Sequence, residues 1–219
     1  MILHTFTLTL GTARPISSSD HELQGFFTTK FHEFIKLHQH NAGKFIYRYP
    51  VVQYKMIGNA PTVIGINEGA EFLKQIFDDC REIRPGENTY QIVERGISLK
   101  DEVFGISDKI HAYEFVTPWL ALNQENYRKF YTLKGKHERD DFMRKILAGN
   151  ILSMAKSLNY DVPSQIKCDA HVHFRKDRLD NVGVMVFTGK FQANFQIPDL
   201  LGIGKSVSRG FGAVRQLRE

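Results

Sequence analysis

Apolar and polar residues alternate from Ile2 to Leu10, with Ile2, His4, Phe6, Leu8 and Leu10 against Leu3, Thr5, Thr7 and Thr9, which predicts a strand. Ser17 to Asp20 then offers N-cap residues, and the period changes to that of a helix over His21–His38, where Leu23, Phe26, Phe27, Phe31, Phe34 and Ile35 share one face. Asn41 and Gly43 supply C-terminal capping chemistry, so this helix should end near His40. Two strand-like runs, RYPVVQYKMI and APTVIGI, flank Gly58-Asn59, a two-residue hairpin signal. A short helix is expected at about Gly69–Phe77 and a strand at Tyr90–Val103. The order β-α-β-β-α-β is that of a ferredoxin-like unit.

Phe104 to Asp108 has no periodicity and marks the expected boundary between a first domain, residues 1–105, and a second, residues 106–219. Beyond it, HAYEFVTPWLAL reads as a strand with Pro118 near its end or on an edge. Helical spacing runs through ENYRKFYTL and again from Asp140 to Leu158. CDAHVHFRK alternates, putting His171, His173 and Arg175 on one face. The apolar run Asn181–Phe187 suits a central strand that Phe191, Ala193 and Phe195 continue, and Ala213–Leu217 can close the sheet. The fold class expected is therefore α+β: two tandem ferredoxin-like, RRM-like, βαββαβ domains with a glycine-rich loop at 202–212 near the C-terminus.

Composition changes this picture little. The 219 residues are 42% hydrophobic and 24% charged, as in an ordinary globular protein. No apolar run approaches the roughly 20 residues of a bilayer span, no basic leader precedes the first strand, and Cys80 and Cys168 make no disulfide framework. A cytoplasmic protein without membrane partners is expected. The net charge of +5 is a weak pointer to nucleic acid, but its distribution says more. Lys205, Arg209, Arg215 and Arg218 crowd the last eighteen residues, and Lys30, Lys36, Lys44, Arg48 and Lys55 lie close together in the first third, whereas ten acids face five bases between Asn67 and Asp108. A basic face with an acidic back suits a polyanionic ligand.

The tail carries the most specific pattern. Gly202, Gly204, Gly210 and Gly212 form two G-x-G pairs around a spacer with Lys205, Ser206, Ser208 and Arg209. Glycine admits positive φ and close approach of a ligand to the backbone, so these residues read as a cradle for phosphates; a glycine-rich hairpin closing a sheet is the rival reading. Gly204-Lys205-Ser206 is the end of a phosphate-binding P-loop, but Asp199 stands where that loop's first glycine belongs. A dinucleotide fingerprint is excluded as well, since only seven residues follow Gly212.

GIGKSVSRGFGAV, with its four glycines, embedded cations, Phe211 and near-terminal position, resembles the glycine-rich loop of the CRISPR-associated endoribonucleases that cut precursor CRISPR RNA, in the repeat-associated RAMP superfamily. YEFVTPWLALNQENY, Tyr113–Tyr127, is similar to the start of that family's second domain. The resemblance implies CRISPR repeat RNA as partner, with a homodimer or a CRISPR effector complex both open.

LHQHNAGKF, at the end of the first helix, holds His38, His40 and Lys44. A histidine titrates near neutrality and moves protons, and a lysine neutralises the charge of a phosphorane, so cleavage by an RNA 2′-hydroxyl on its own 3′-phosphate can proceed with these three and no metal or other cofactor. His38 also falls in line with the apolar stripe, where a hydrogen-bonded structural histidine is the plainer reading. The resemblance implies a histidine after the first helix and a lysine six positions on, the separation of His38 and Lys44, and in some members a tyrosine from the first helix. LQGFFTTKF has none and offers Thr28 or Thr29. Cys168, His171 and His173 lack a recognised metal spacing; with Arg175, the two histidines suit either a polar sheet face or an RNA surface. The site expected is thus catalytic at His38, His40 and Lys44, and RNA-binding at Gly202, Gly204, Lys205, Ser206, Ser208, Arg209, Gly210, Gly212 and Arg175. A non-cutting RNA-binding subunit of the same superfamily and, more distantly, a protein-interaction module are the alternatives.

Overall fold

The first strand, β1 (Ile2–Thr12), buries Phe6, Leu8 and Leu10 on the face its alternation assigned to the core. The hairpin predicted at Gly58-Asn59 forms between β2 (Val52–Ile57) and β3 (Ala60–Ile66), and both turn residues take positive φ, 56° and 66°, as a type I′ turn demands. Helix α1 (Glu68–Ile76) follows, then a two-residue strand β4 (Glu82–Ile83) that the sequence did not announce, and β5 (Tyr90–Val103). The computed structural model describes residues 1–17, 22, 23, 25, 26, 29, 49–76, 81–179 and 182–218. Of the long first helix, Glu22, Leu23, Gly25, Phe26 and Thr29 are described and helical; the rest of that expectation lies outside the described residues.

These strands make one sheet in the order β2-β3-β1-β5-β4. Its helix-side core joins Phe6, Leu8 and Leu10 to Leu23, Val52, Tyr54, Val63, Ala70, Leu73, Ile83 and Tyr90. The residues between these on β2 point the other way, yet Gln53 and Lys55 are buried too. Lys55 Nζ donates to Gln53 Oε1 at 3.0 Å, and burial pushes its ammonium down to about 7.

The second sheet is built from β6 (Gly105–Phe115), β7 (Cys168–Leu179), β8 (Val182–Gln196) and β9 (Val214–Gln216), in the order β7-β8-β6-β9. This repeats the relation β2-β3-β1-β5, so the chain holds two ferredoxin-like units of the α+β class in tandem. Helices α2 (Gln124–Thr132) and α3 (Lys136–Ser157) lie between β6 and β7. Helix α3 starts before Asp140 because Glu138 Oε2 accepts the amides of Lys134 and Gly135, at 3.1 and 3.2 Å, and caps it there. Where α1 stands between β3 and β5, the second unit has no helix between β8 and β9, only the glycine-rich segment with one 3-10 turn, Val207–Arg209. By Cα proximity His4–Lys100 form one compact unit, and Asp101–Glu219 with Met1–Leu3 the other.

Two expectations fail around β6. The stretch Phe104–Asp108 is not without regular structure, because β6 begins at Gly105 and runs through it. A shift in register between Ile106 and His111, where the pairing with β8 is interrupted, destroys the period of two that marks a strand in sequence. Nor does the strand reach Leu122; it stops at Phe115. Pro118 has no N–H to give a ladder, and beyond it only Trp119 rejoins the sheet, exchanging backbone hydrogen bonds of 2.7 and 2.9 Å with Phe187. Trp119, Tyr113, Phe187, Phe191 and Phe195 are buried, as are Leu147 and Ile151 of α3. The Tyr113 hydroxyl accepts from the Ile197 amide and donates to the Phe195 carbonyl, at 3.0 and 3.1 Å. No helix among the described residues is long and apolar enough to cross a membrane.

Candidate nucleic-acid interface

Leu200 to Val214 folds back on itself as a buckled hairpin. Leu200 N–H donates to the Val214 carbonyl, Val214 N–H to Leu201, and Ile203 N–H to Gly212, while Leu201, Ile203, Val207, Ala213 and Val214 bury their side chains as plugs. The preceding Pro118–Leu122 segment receives it: Gly212 N–H donates to the Pro118 carbonyl at 2.8 Å and Lys205 N–H to Leu120 at 2.9 Å. Thr117 Oγ1 accepts from the Ala213 amide at 2.8 Å. β9 then pairs with the end of β6, Glu114 opposite Arg215.

Two glycines explain why the segment needs this composition. Gly204 has φ 94°, and a Cβ there would lie 2.6 Å from Trp119 Nε1 and 2.8 Å from the Leu120 carbonyl oxygen. At Gly212, φ 70°, it would lie 2.0 Å from the Ile203 carbonyl oxygen. Positive φ and missing side chains are therefore used for the chain's own closure. The amides of Ile203, Lys205, Arg209, Gly210, Phe211 and Gly212 are spent inside the segment or on the segment before it. What the tip offers outward is side chains: Lys205, Ser208 and Arg209 are exposed, with Ser206, at φ 53°, partly so. Two cations and two hydroxyls on one turn are suited to phosphate oxygens.

On β7, His171, His173 and Arg175 are exposed at alternate positions, as expected; His171 pairs across to Lys190 and His173 to Thr188. His171 Nε2 lies 3.4 Å from Asp169, and Arg175 Nη2 donates to Asp177 at 3.2 Å. Cys168 Sγ donates to the Arg144 carbonyl, and burial pushes its thiol up to about 11, away from a reactive thiolate. Among the described residues no three His, Cys, Asp or Glu side chains cluster as metal ligands would. His38, His40, Lys44 and Thr28 lie outside the described residues; Thr29 is helical.

The model of the Cas6b N-terminal domain matches residues 1–103, and that of the Cas6b C-terminal domain residues 105–217. The chain belongs to the Cas6b family. The N-terminal model takes in His38, His40 and Lys44, and the C-terminal one the whole glycine-rich segment. A crystal structure of Cas6b superposes with a TM-score of 0.86 at 34% identity, covering 99% of this chain and 100% of that one. The crystal structure of a CRISPR RNA processing endoribonuclease, also Cas6b, does so with a TM-score of 0.82 at 31% identity and the same coverage. An uncharacterized protein of Methanocaldococcus jannaschii is 36% identical over 151 residues, 66% of this chain and 99% of its own. Among Cas6b proteins, then, the chain is similar over nearly its full length to one whose name states what it cuts.

Proposed function

We propose that this chain is an endoribonuclease that binds CRISPR repeat RNA and cleaves the precursor transcript without a metal, leaving a 2′,3′-cyclic phosphate. The observation that carries the reading is its full-length likeness, at 31% identity, to a CRISPR RNA processing endoribonuclease of the same family. In this reading the RNA 2′-oxygen attacks the adjacent phosphorus, forming the cyclic ester, and the bond to the 5′-oxygen of the next nucleotide breaks. One of His38 and His40 takes the 2′-hydroxyl proton, the other protonates the leaving 5′-oxygen, and Lys44 neutralises the phosphorane. Lys205, Ser206, Ser208, Arg209 and Arg175 hold phosphates of the bound RNA, with Gly202, Gly204, Gly210 and Gly212 giving the segment its shape. The absence of a tyrosine from Leu23–Phe31 favours a second reading, an RNA-binding subunit that does not cut.

Incubating the purified protein with repeat RNA in EDTA, beside His38→Ala, His40→Ala and Lys44→Ala, separates the two. Cleavage at one position that survives EDTA and disappears with a histidine change is the expected result. Tight binding with no cleavage by the unaltered protein replaces the nuclease with the binding subunit.

A further inference from the structure

Helix α2 presents an aromatic pair that the fold does not use. Its one buried residue is Phe130, whose ring packs edge-on against Phe174 and Phe187 at 5.4 and 5.6 Å and is covered by the Arg139 guanidinium at 5.3 Å. Phe130 is therefore the buried anchor of the helix on the second unit's core. Tyr127 and Tyr131, one turn apart, are 39% and 49% exposed; their rings meet edge to face with centroids 5.0 Å apart, and their hydroxyls are 3.5 Å apart. The pair thus holds its own geometry in solvent.

Its surroundings are cationic. Arg128 stands three residues before Tyr131, and Lys134 three after it, and both are exposed, as are Lys129 and Lys136. The acids nearby are Glu125, in the first turn of α2, and Glu138, which accepts the amides of Lys134 and Gly135. The segment Pro118–Leu122 that receives the glycine-rich segment runs directly into Asn123, the N-cap of α2, whose side chain accepts the Asn126 amide at 2.7 Å. From Leu120, which accepts the Lys205 amide, to Tyr127 the chain spans no more than about 25 Å.

Rigid exposed rings interleaved with cations are what unpaired nucleobases stack on while their phosphates are neutralised alongside. We infer that Tyr127 and Tyr131, with Arg128 and Lys134, form a stacking platform for unpaired bases of single-stranded RNA. This platform rests on the RNA-binding reading above and extends it to a second contact, on α2, which discriminates bases from bare backbone.

Fluorescence anisotropy at low salt tests it with a labelled twelve-nucleotide oligoadenylate and an abasic strand of equal phosphate count. The unaltered protein should prefer the adenylate, and Tyr127→Ala/Tyr131→Ala should cut that preference roughly five- to a hundredfold while hardly changing affinity for the abasic strand. Tyr127→Phe/Tyr131→Phe keeps the rings and should keep the preference. A preference that survives the alanine pair, or is lost equally with the phenylalanine pair, overturns the platform and leaves the RNA-binding reading standing, as does equal binding of the two strands by the unaltered protein. Binding of neither strand, nor of repeat RNA, overturns both.

Discussion

The Trp119 indole Nε1 donates to Asn150 Oδ1 at 3.2 Å, and both atoms lie within 2.8 Å of the place a Cβ on Gly204 would occupy. One partly buried hydrogen bond thereby forms the floor of the glycine-rich segment. Gly204→Ala should lower stability well beyond the roughly 1 kcal/mol that positive φ alone takes, because the methyl also displaces that bond. Gly58→Ala is the control: its φ is positive as well, but nothing lies within 4 Å of the added carbon. Asn150→Ala, which orphans the indole N–H, should lose about 1–3 kcal/mol. Urea unfolding of the three variants checks the order.

Lys55 makes stability depend on pH. Its folded-state value, about 7, is below the 10.5 of an exposed lysine, so the unfolded chain binds the extra proton between those limits. The stabilisation is complete above about 10.5, falls as pH drops through that window, and is gone below about 7. Lys55→Met should flatten the curve there and raise stability at pH 7. Denaturant midpoints at pH 7 and 9.5 would read it, and a wild-type midpoint no higher at 9.5 would refute it.

Lys205 and Arg209 contact phosphate in the proposed complex, and phosphate has no base identity. Replacing either by alanine should weaken binding alike across RNA sequences and lower the salt slope of log K by about 0.7 for each phosphate of a single strand that is no longer neutralised. Titrations at three salt concentrations measure this. Unchanged affinity in both variants would remove the segment from the interface.

Tyr160 closes the start of β6. Its hydroxyl accepts the Ile106 amide at 3.0 Å, its ring meets Phe104 and Phe195 edge-on, and a Cβ on Gly105, φ 138°, would strike it at 2.6 Å. Tyr160→Phe keeps the ring and loses only that bond, so about 0.5–1.5 kcal/mol should go, with cleavage unaffected. Thermal unfolding beside a cleavage assay tests both halves.

The elements legible in the sequence were those with a local cause. Gly58-Asn59 requires positive φ at both positions and so announced its hairpin; β5 and α1 were bounded by their own periods. β4 was invisible because two residues have no period, and the early part of β6 because its irregular pairing breaks one. The tail glycines were legible as conformational freedom but not as to what fills the space, since a missing Cβ reads the same beside a phosphate or beside the Ile203 carbonyl. The tyrosines of ENYRKFYTL have no such signature, because a helical stripe marks residues that face a core and these are exposed.

Assembly order is set by the way β9 reaches back. The β7–β8 hairpin closes on itself between Leu179 and Val182, whereas the Ala213 amide finds Thr117 across 96 residues. Loop closure of that span is costly until the strands at both ends of the hairpin are in place, so the hairpin and α3 should form before the glycine-rich segment docks. During refolding most of the helix and strand signal should return before Lys205 and Arg209 are held in position. A folding intermediate of this protein would look nearly native by circular dichroism and yet lack the phosphate contacts of the proposed complex.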